Sequence, residues 1–168
     1  MTLATGVSKI VDKSGNLREA VQDATASQPA LVQNAQNGLM GLGFDGSNDC
    51  LSIAAPNIGT GKRLGLFFVA KWASSDDRDI LCLHTGGTTA VLLEASLTNT
   101  FRFLYRNPPG VSGGIDIIPA SNSVPLNVPH IGAMIVSSSG NTLNIDGTQL
   151  GSGSAGAVFT SDLTLAIS

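Results

Sequence analysis

The chain has 168 residues, room for one domain spanning 1–168 with a sizeable core. Charged residues make up only 12%, against roughly 25% in ordinary globular domains, so the surface falls to Ser, Thr, Asn, Gln and Gly. Net charge is −3, and the nine basic residues form no cluster beyond the Lys62-Arg63 pair, which excludes the basic patch that a phosphate backbone requires and with it nucleic acid as a partner.

The elements follow in chain order. The N-terminal stretch MTLATGVSKIV lacks a basic segment followed by a long apolar one, so no secretory signal is expected. In LREAVQDA (17–24), Leu17, Ala20, Val21 and Ala24 fall at helical spacing, with Ser14 or Asn16 as the cap, which predicts a helix of at most two turns. Everything after it reads as strands between punctuation. They are expected near 30–33, 39–44, 50–54, 64–72, 80–84, 89–95, 101–106, 131–137, 142–146 and 163–167. The run LGLFFVA (64–70) is far short of the ~20 residues that span a bilayer, so a soluble chain with no membrane insertion is expected. With its neighbours in 64–72 it is apolar on both faces, which predicts a central strand covered on both sides. In FRFLYR, Phe101, Phe103 and Tyr105 share one face, and in TLNID, Leu143 and Ile145 do. Asp146-Gly147 predicts a hairpin, and Gly86-Gly87, Gly113-Gly114 and Gly140-Asn141 mark further turns.

The stretch 107–129 carries five of the seven prolines and reads as a long exposed loop with one short strand around 115–118. No repeat or dividing linker is visible. Cys50 and Cys82 form no Cys-x-x-Cys pair, which excludes a zinc knuckle; two buried free thiols are expected in preference to a disulfide. Many short strands, Gly-rich turns and little helix define the fold class: all-β, an antiparallel two-sheet sandwich.

Two stretches carry a resemblance. In 11–53 stand Asp12, Ser14, Gly15 and Asn16, then Gln28-Pro29, then Asn37-Gly38, then Phe44, Asp45, Gly46, Asp49 and Leu51 in the pattern F-D-G-x-x-D-x-L. In 142–150, TLNIDGTQL is a strand, an Asp-Gly turn and a return strand. This order resembles the laminin-G-like jelly rolls of the concanavalin A-like lectin/glucanase superfamily, in particular those of bacteriophage virion proteins and bacterial surface proteins. The resemblance spans nearly the whole chain and implies a jelly roll. Three departures stand out: Cys50 sits where an aromatic is common, a strand ahead of Asp12 is not evident, and no final strand follows LTLAIS. The chain thus starts late and stops early by those standards, so the terminal strands are expected to be incomplete: either this is part of a larger domain, or neighbouring chains cover the open edges.

The chemistry candidates are few. Glycoside hydrolysis needs two carboxylates about 5–9.5 Å apart. The related glucanases carry Glu and Asp close together on one strand, whereas this chain has only Glu19 and Glu94, with no carboxylate near Glu94 in sequence. His84 and His130 stand in no catalytic motif. No catalytic residue is therefore assigned, and the chain is read as a non-enzyme. The resemblance implies Ca²⁺ at a loop rim, where Asp45, Asn48 and Asp49 offer oxygens; the preferred reading is a tight turn, with Phe44 and Leu51 pointing into the sandwich. It also implies glycan contact through Trp72, Tyr105 and the acidic loop residues Asp76 and Asp77, with core packing preferred for Trp72.

The expected function is a non-enzymatic structural or adhesion module of a phage virion: a tail, fibre, baseplate or capsid decoration. Its partners would be other virion proteins, copies of itself or surface glycans. The alternative is a lectin-like carbohydrate-binding module, extracellular or on a cell surface; a glycoside hydrolase remnant is the least favoured reading.

Overall fold

A computed structural model describes residues 2–16, 18–53, 64–73, 78–85, 88–96, 100–106, 115–118, 124–137, 139–153 and 164–167. The strands are β1 (Thr2–Gly6), β2 (Lys9–Ile10), β3 (Ala20–Val21), β4 (Ala30–Gln36), β5 (Leu39–Gly43), β6 (Leu51–Ile53), β7 (Leu64–Ala70) and β8 (Arg78–Thr85). They continue as β9 (Thr88–Ser96), β10 (Thr100–Tyr105), β11 (Ile115–Ile117), β12 (His130–Ser137), β13 (Gly140–Ile145), β14 (Thr148–Gly153) and β15 (Thr164–Ile167). Among the described residues there is no α-helix, only a 3₁₀ turn at Thr25–Ser27. All ten strands expected from the sequence are present, and the short one around 115–118 is β11.

The strands form three sheets with antiparallel ladders throughout. The largest runs β11-β10-β9-β8-β15-β6-β3-β2, the second β14-β13-β12-β7, and a small one β1-β4-β5. Two hairpins are closed by pairs of residues with positive φ: Asn37-Gly38 between β4 and β5, and Asp146-Gly147 between β13 and β14. Such pairs form type I′ turns, whose twist matches that of the strands they join.

Period-two patterning decides what faces inward. Leu81 and Leu83 of β8, Val91 and Leu93 of β9, Phe101, Phe103 and Tyr105 of β10 and Ile117 of β11 form one inner face. Met134 and Val136 of β12 with Leu143 and Ile145 of β13 form the opposing one. Val124, from within the proline-rich 107–129 stretch, is fully buried among them. Burying each such side chain stabilises the fold by about 1.5–3 kcal/mol. Phe101, at 0% exposure, is the pivot: its ring meets Phe68 of β7 edge-on at 5.9 Å and Trp72 at 4.2 Å.

Gly132 answers a second demand of this packing. It lies directly opposite Phe68 in the β12–β7 ladder, and a Cβ at position 132 would overlap the Phe68 ring. The glycine leaves the room that lets Phe68 lie flat across β12.

Three expectations are corrected. The helix over 17–24 is absent: Leu17 lies outside the described residues, and Ala20–Val21 is a strand paired with β2 and β6. Two turns of helix are too short to hold without tertiary packing, and sheet pairing prevails. Strands β1 and β2 do precede Asp12. Finally, β7 is not a central strand. It lies at the end of its sheet, pairs only with β12 among the described residues, and alternates Leu64, Leu66 and Phe68 inward with Gly65, Phe67 and Val69 outward. Phe67 is 76% exposed and Val69 63%.

Phe101→Ala should lower unfolding free energy by about 3–5 kcal/mol in urea titrations, and Gly132→Ala by about 1–3 kcal/mol through overpacking. An unchanged midpoint for Gly132→Ala would mean that Phe68 does not occupy the space above position 132.

Candidate functional site

The loop between β5 and β6 builds itself around Asp45. Its Oδ1 accepts backbone N–H bonds from Ser47 at 2.8 Å, Asn48 at 3.2 Å and Asp49 at 3.3 Å. In return the Asp45 N–H donates to Asp49 Oδ2 at 3.0 Å. Asn48 turns away and donates to the Ala26 carbonyl and the Ser27 hydroxyl, which ties the loop to the 3₁₀ turn. Gly46 has φ 70°, a left-handed value that suits glycine. Leu51 is fully buried, as expected, whereas Phe44 is only half-buried. The backbone N–H groups of Ser47 and Asn48 hold the Asp45 carboxyl below the usual carboxylate range. These bonds are those of a self-capping turn. Among the described residues no group of three or more His, Cys, Asp or Glu is placed to hold a metal ion.

Asp12 uses the same device in the D-x-S-G-N segment. Bonds from the Ser14 hydroxyl, then from the Ser14 and Arg18 backbone N–H groups, lower its carboxyl to about 2. Cys50 and Cys82 are both half-buried, not buried as expected. Gln22 donates to the Cys50 sulfur at 2.9 Å, where the resembling domains carry an aromatic.

Among the described residues β5 and β7 each end a sheet, and the sandwich is open between them. The opening is a groove of about 1610 Å³, with Leu39 and Met40 on one wall, Phe67, Val69 and Ile131 on the other, and Leu93 of the large sheet in its floor. Those five wall residues are all exposed, Ile131 to 66%. The groove also collects sequence-predicted site residues: Asp45, Asp49 and Trp72 all line it. Trp72 is half-buried and packs on Phe101, the preferred reading for it, and it also lines the groove. Asn48 is not part of the lining. Tyr105 is 3% exposed within the core cluster, so its ring faces protein and not a sugar. Asp76 and Asp77 lie outside the described residues.

Two clusters escaped sequence reasoning. On the outer face of the large sheet, Arg102 binds Asp116 through two nitrogens at 2.9 and 2.7 Å and Glu94 at 3.1 Å. The β9–β10 register sets Arg102 directly opposite Glu94, and β8 brings Asp79 to the other side of Glu94. The two short-separated strands were legible, so their hairpin register was the available signal. Asp116 arrives from a strand beyond a long intervening stretch, and nothing local announces it. Glu94 and Asp116 thus share the one Arg102 guanidinium. The second cluster is buried His130 with Asp146, 2.6 Å apart, of which Asp146 lines the groove.

No family model matches the chain, and no curated protein matches it. Among solved structures it is similar to a protein named Sialidase, at 12% identity and a TM-score of 0.54, over 96% of this chain and 15% of that one. It is also similar, more loosely, to an alginate lyase from Pseudomonas aeruginosa, at 14% identity and a TM-score of 0.43, over 87% of this chain and 73% of that one. The alginate lyase from Corynebacterium sp. superposes at 12% identity and a TM-score of 0.40, over 98% of this chain and 69% of that one. At these identities the likeness is one of fold, and the chain spans about 15% of the sialidase's length. The fold is an all-β sandwich built from antiparallel sheets.

Asp12 and Asp45 bind their protons more weakly folded than unfolded. Their contribution to stability is therefore complete above the ordinary aspartate value of 3.8 and is lost as pH falls through the lowered values, about 2 for Asp12. Denaturation midpoints measured across this acid range should fall steeply for the natural chain and less steeply for Asp12→Ala and Asp45→Ala. Parallel pH profiles would show that the turns do not depend on ionised carboxylates.

Proposed function

We propose that this chain is a non-enzymatic structural or adhesion module of a phage particle, with its open sheet edges covered by neighbouring chains. One observation carries the reading: β5 and β7 each end a sheet at the same groove, flanked by exposed apolar side chains. Natural edge strands are defended by charge, proline or bulges. The seven residues of β7, LGLFFVA, contain no charge and no proline, and their ladder with β12 runs without a register shift. An edge of this composition is tolerable when another chain occupies it, as in a symmetric assembly. The sparsely charged surface supports the same reading, because little repels a neighbouring copy.

Light scattering coupled to size exclusion should show concentration-dependent association that Phe67→Asp with Val69→Asp abolishes, both residues being exposed enough to substitute without unfolding. A compact monomer at every concentration counts against the assembly role.

A second reading, glycan contact, is favoured by Trp72, Asp45 and Asp49 sharing the groove: an aromatic beside carboxylates is the combination that stacks on a sugar and accepts from its hydroxyls. A glycan array probed with and without Ca²⁺ should then give signals that Trp72→Ala removes. Silence under both conditions sinks this reading and leaves the first intact.

A further inference from the structure

His130 is 4% exposed, and both of its ring nitrogens face acceptors. Nδ1 lies 2.6 Å from Asp146 Oδ2, and Nε2 lies 2.9 Å from the carbonyl oxygen of Pro125. A backbone carbonyl has no proton to give. The Asp146 carboxylate already accepts the Ile131 N–H on its other oxygen at 2.9 Å, and its side chain is 51% exposed, both of which favour the ionised form. A neutral imidazole carries one N–H and can satisfy only one of these two acceptors. The arrangement is complete when both nitrogens carry protons. The Trp72 ring lies 5.2 Å from the imidazole at a 36° tilt, within the range at which an aromatic face attracts a cation.

We propose that His130 is a proton-operated clasp: doubly protonated, it ties the 124–129 segment, the Asp146 turn and Trp72 into one groove wall, and loss of its Nε2 proton frees that wall. With the proton gone, an Nε2 lone pair points at the lone pairs of the Pro125 carbonyl, and the two groups repel. The segment following Pro125 is also held by the Asn127 N–H, which donates to the Trp72 carbonyl at 2.9 Å. Residues 124–129 contain no titratable side chain, and neither does the remainder of β12. The β13–β14 turn brings Asp146 alone, and the segment after β7 brings Lys71, exposed, beside Trp72. Asp45, Asp49 and Asp79 lie on other parts of the groove lining. The clasp does not depend on the assembly reading, since it concerns bonds within one chain.

The test is nitrogen-15 NMR of the His130 ring in the full chain, from about pH 5 to about pH 9, with His84 as internal reference. Protons on both His130 nitrogens are expected at the acid end. As Nε2 loses its proton, the Asn127 amide should exchange faster than base catalysis alone explains, by about tenfold per pH unit, since opening is then linked to one proton. A ring singly protonated throughout, or an Asn127 amide indifferent to the ring's ionisation, overturns the proposal. Asp146→Asn removes the ionised partner and should move the transition to lower pH; an unmoved transition also overturns it. In His130→Gln the excess pH dependence of Asn127 exchange should disappear, and its persistence would assign that dependence to another group.

Discussion

Phe101 holds the position on which the other packing depends. It projects from the large sheet into the space between the layers, and Phe68 and Trp72 close on it from the β7 side. Phe68 can do so only because β12 offers a glycine opposite it. Trp72, held by Phe101, in turn presents its ring to His130 and its carbonyl to Asn127, so the groove wall inherits its position from the core. Two sheets must bury their inner faces against each other at about 10 Å, and a large ring spanning that distance sets both spacing and orientation.

The turns share a second device. Asp12, Asp45 and Asp146 each accept backbone N–H groups through the side-chain carboxylate, and all three are held below the usual carboxylate range. For Asp146 the bond from His130 comes first, followed by the Ile131 N–H. Carboxylates that looked like metal ligands in LGFDGSNDCLSI thus supply acceptors to a backbone that would otherwise leave its donors to solvent. A chain with so few charges places some of the most perturbed ones at its corners.

Much of the sandwich was legible. Alternation in 101–106 and 142–146 put Phe101, Phe103, Tyr105, Leu143 and Ile145 on inner faces, and burial follows that pattern. The Asp146-Gly147 hairpin forms as expected because its positive φ values suit those two residue types. The misreadings also have physical causes. Helical spacing over 17–24 is a local preference too weak to resist pairing with β2 and β6. The run 64–70 is apolar on both faces, which local reasoning can only read as covered on both. The same pattern belongs to an edge strand whose outer face is exposed.

By itself the sequence determined the strands, their inward faces and the turn chemistry, because period-two patterning and left-handed residues act over a few positions. Tertiary structure decided which strands end a sheet, which carboxylates share Arg102, and which side chains meet at the groove. Glu94 and Asp116 are 22 positions apart, and Pro125, His130, Asp146 and Trp72 come from separate elements. Such meetings depend on sheet order and register over the whole chain. No local spacing records them, and so the groove and its histidine became visible only once the strands were paired.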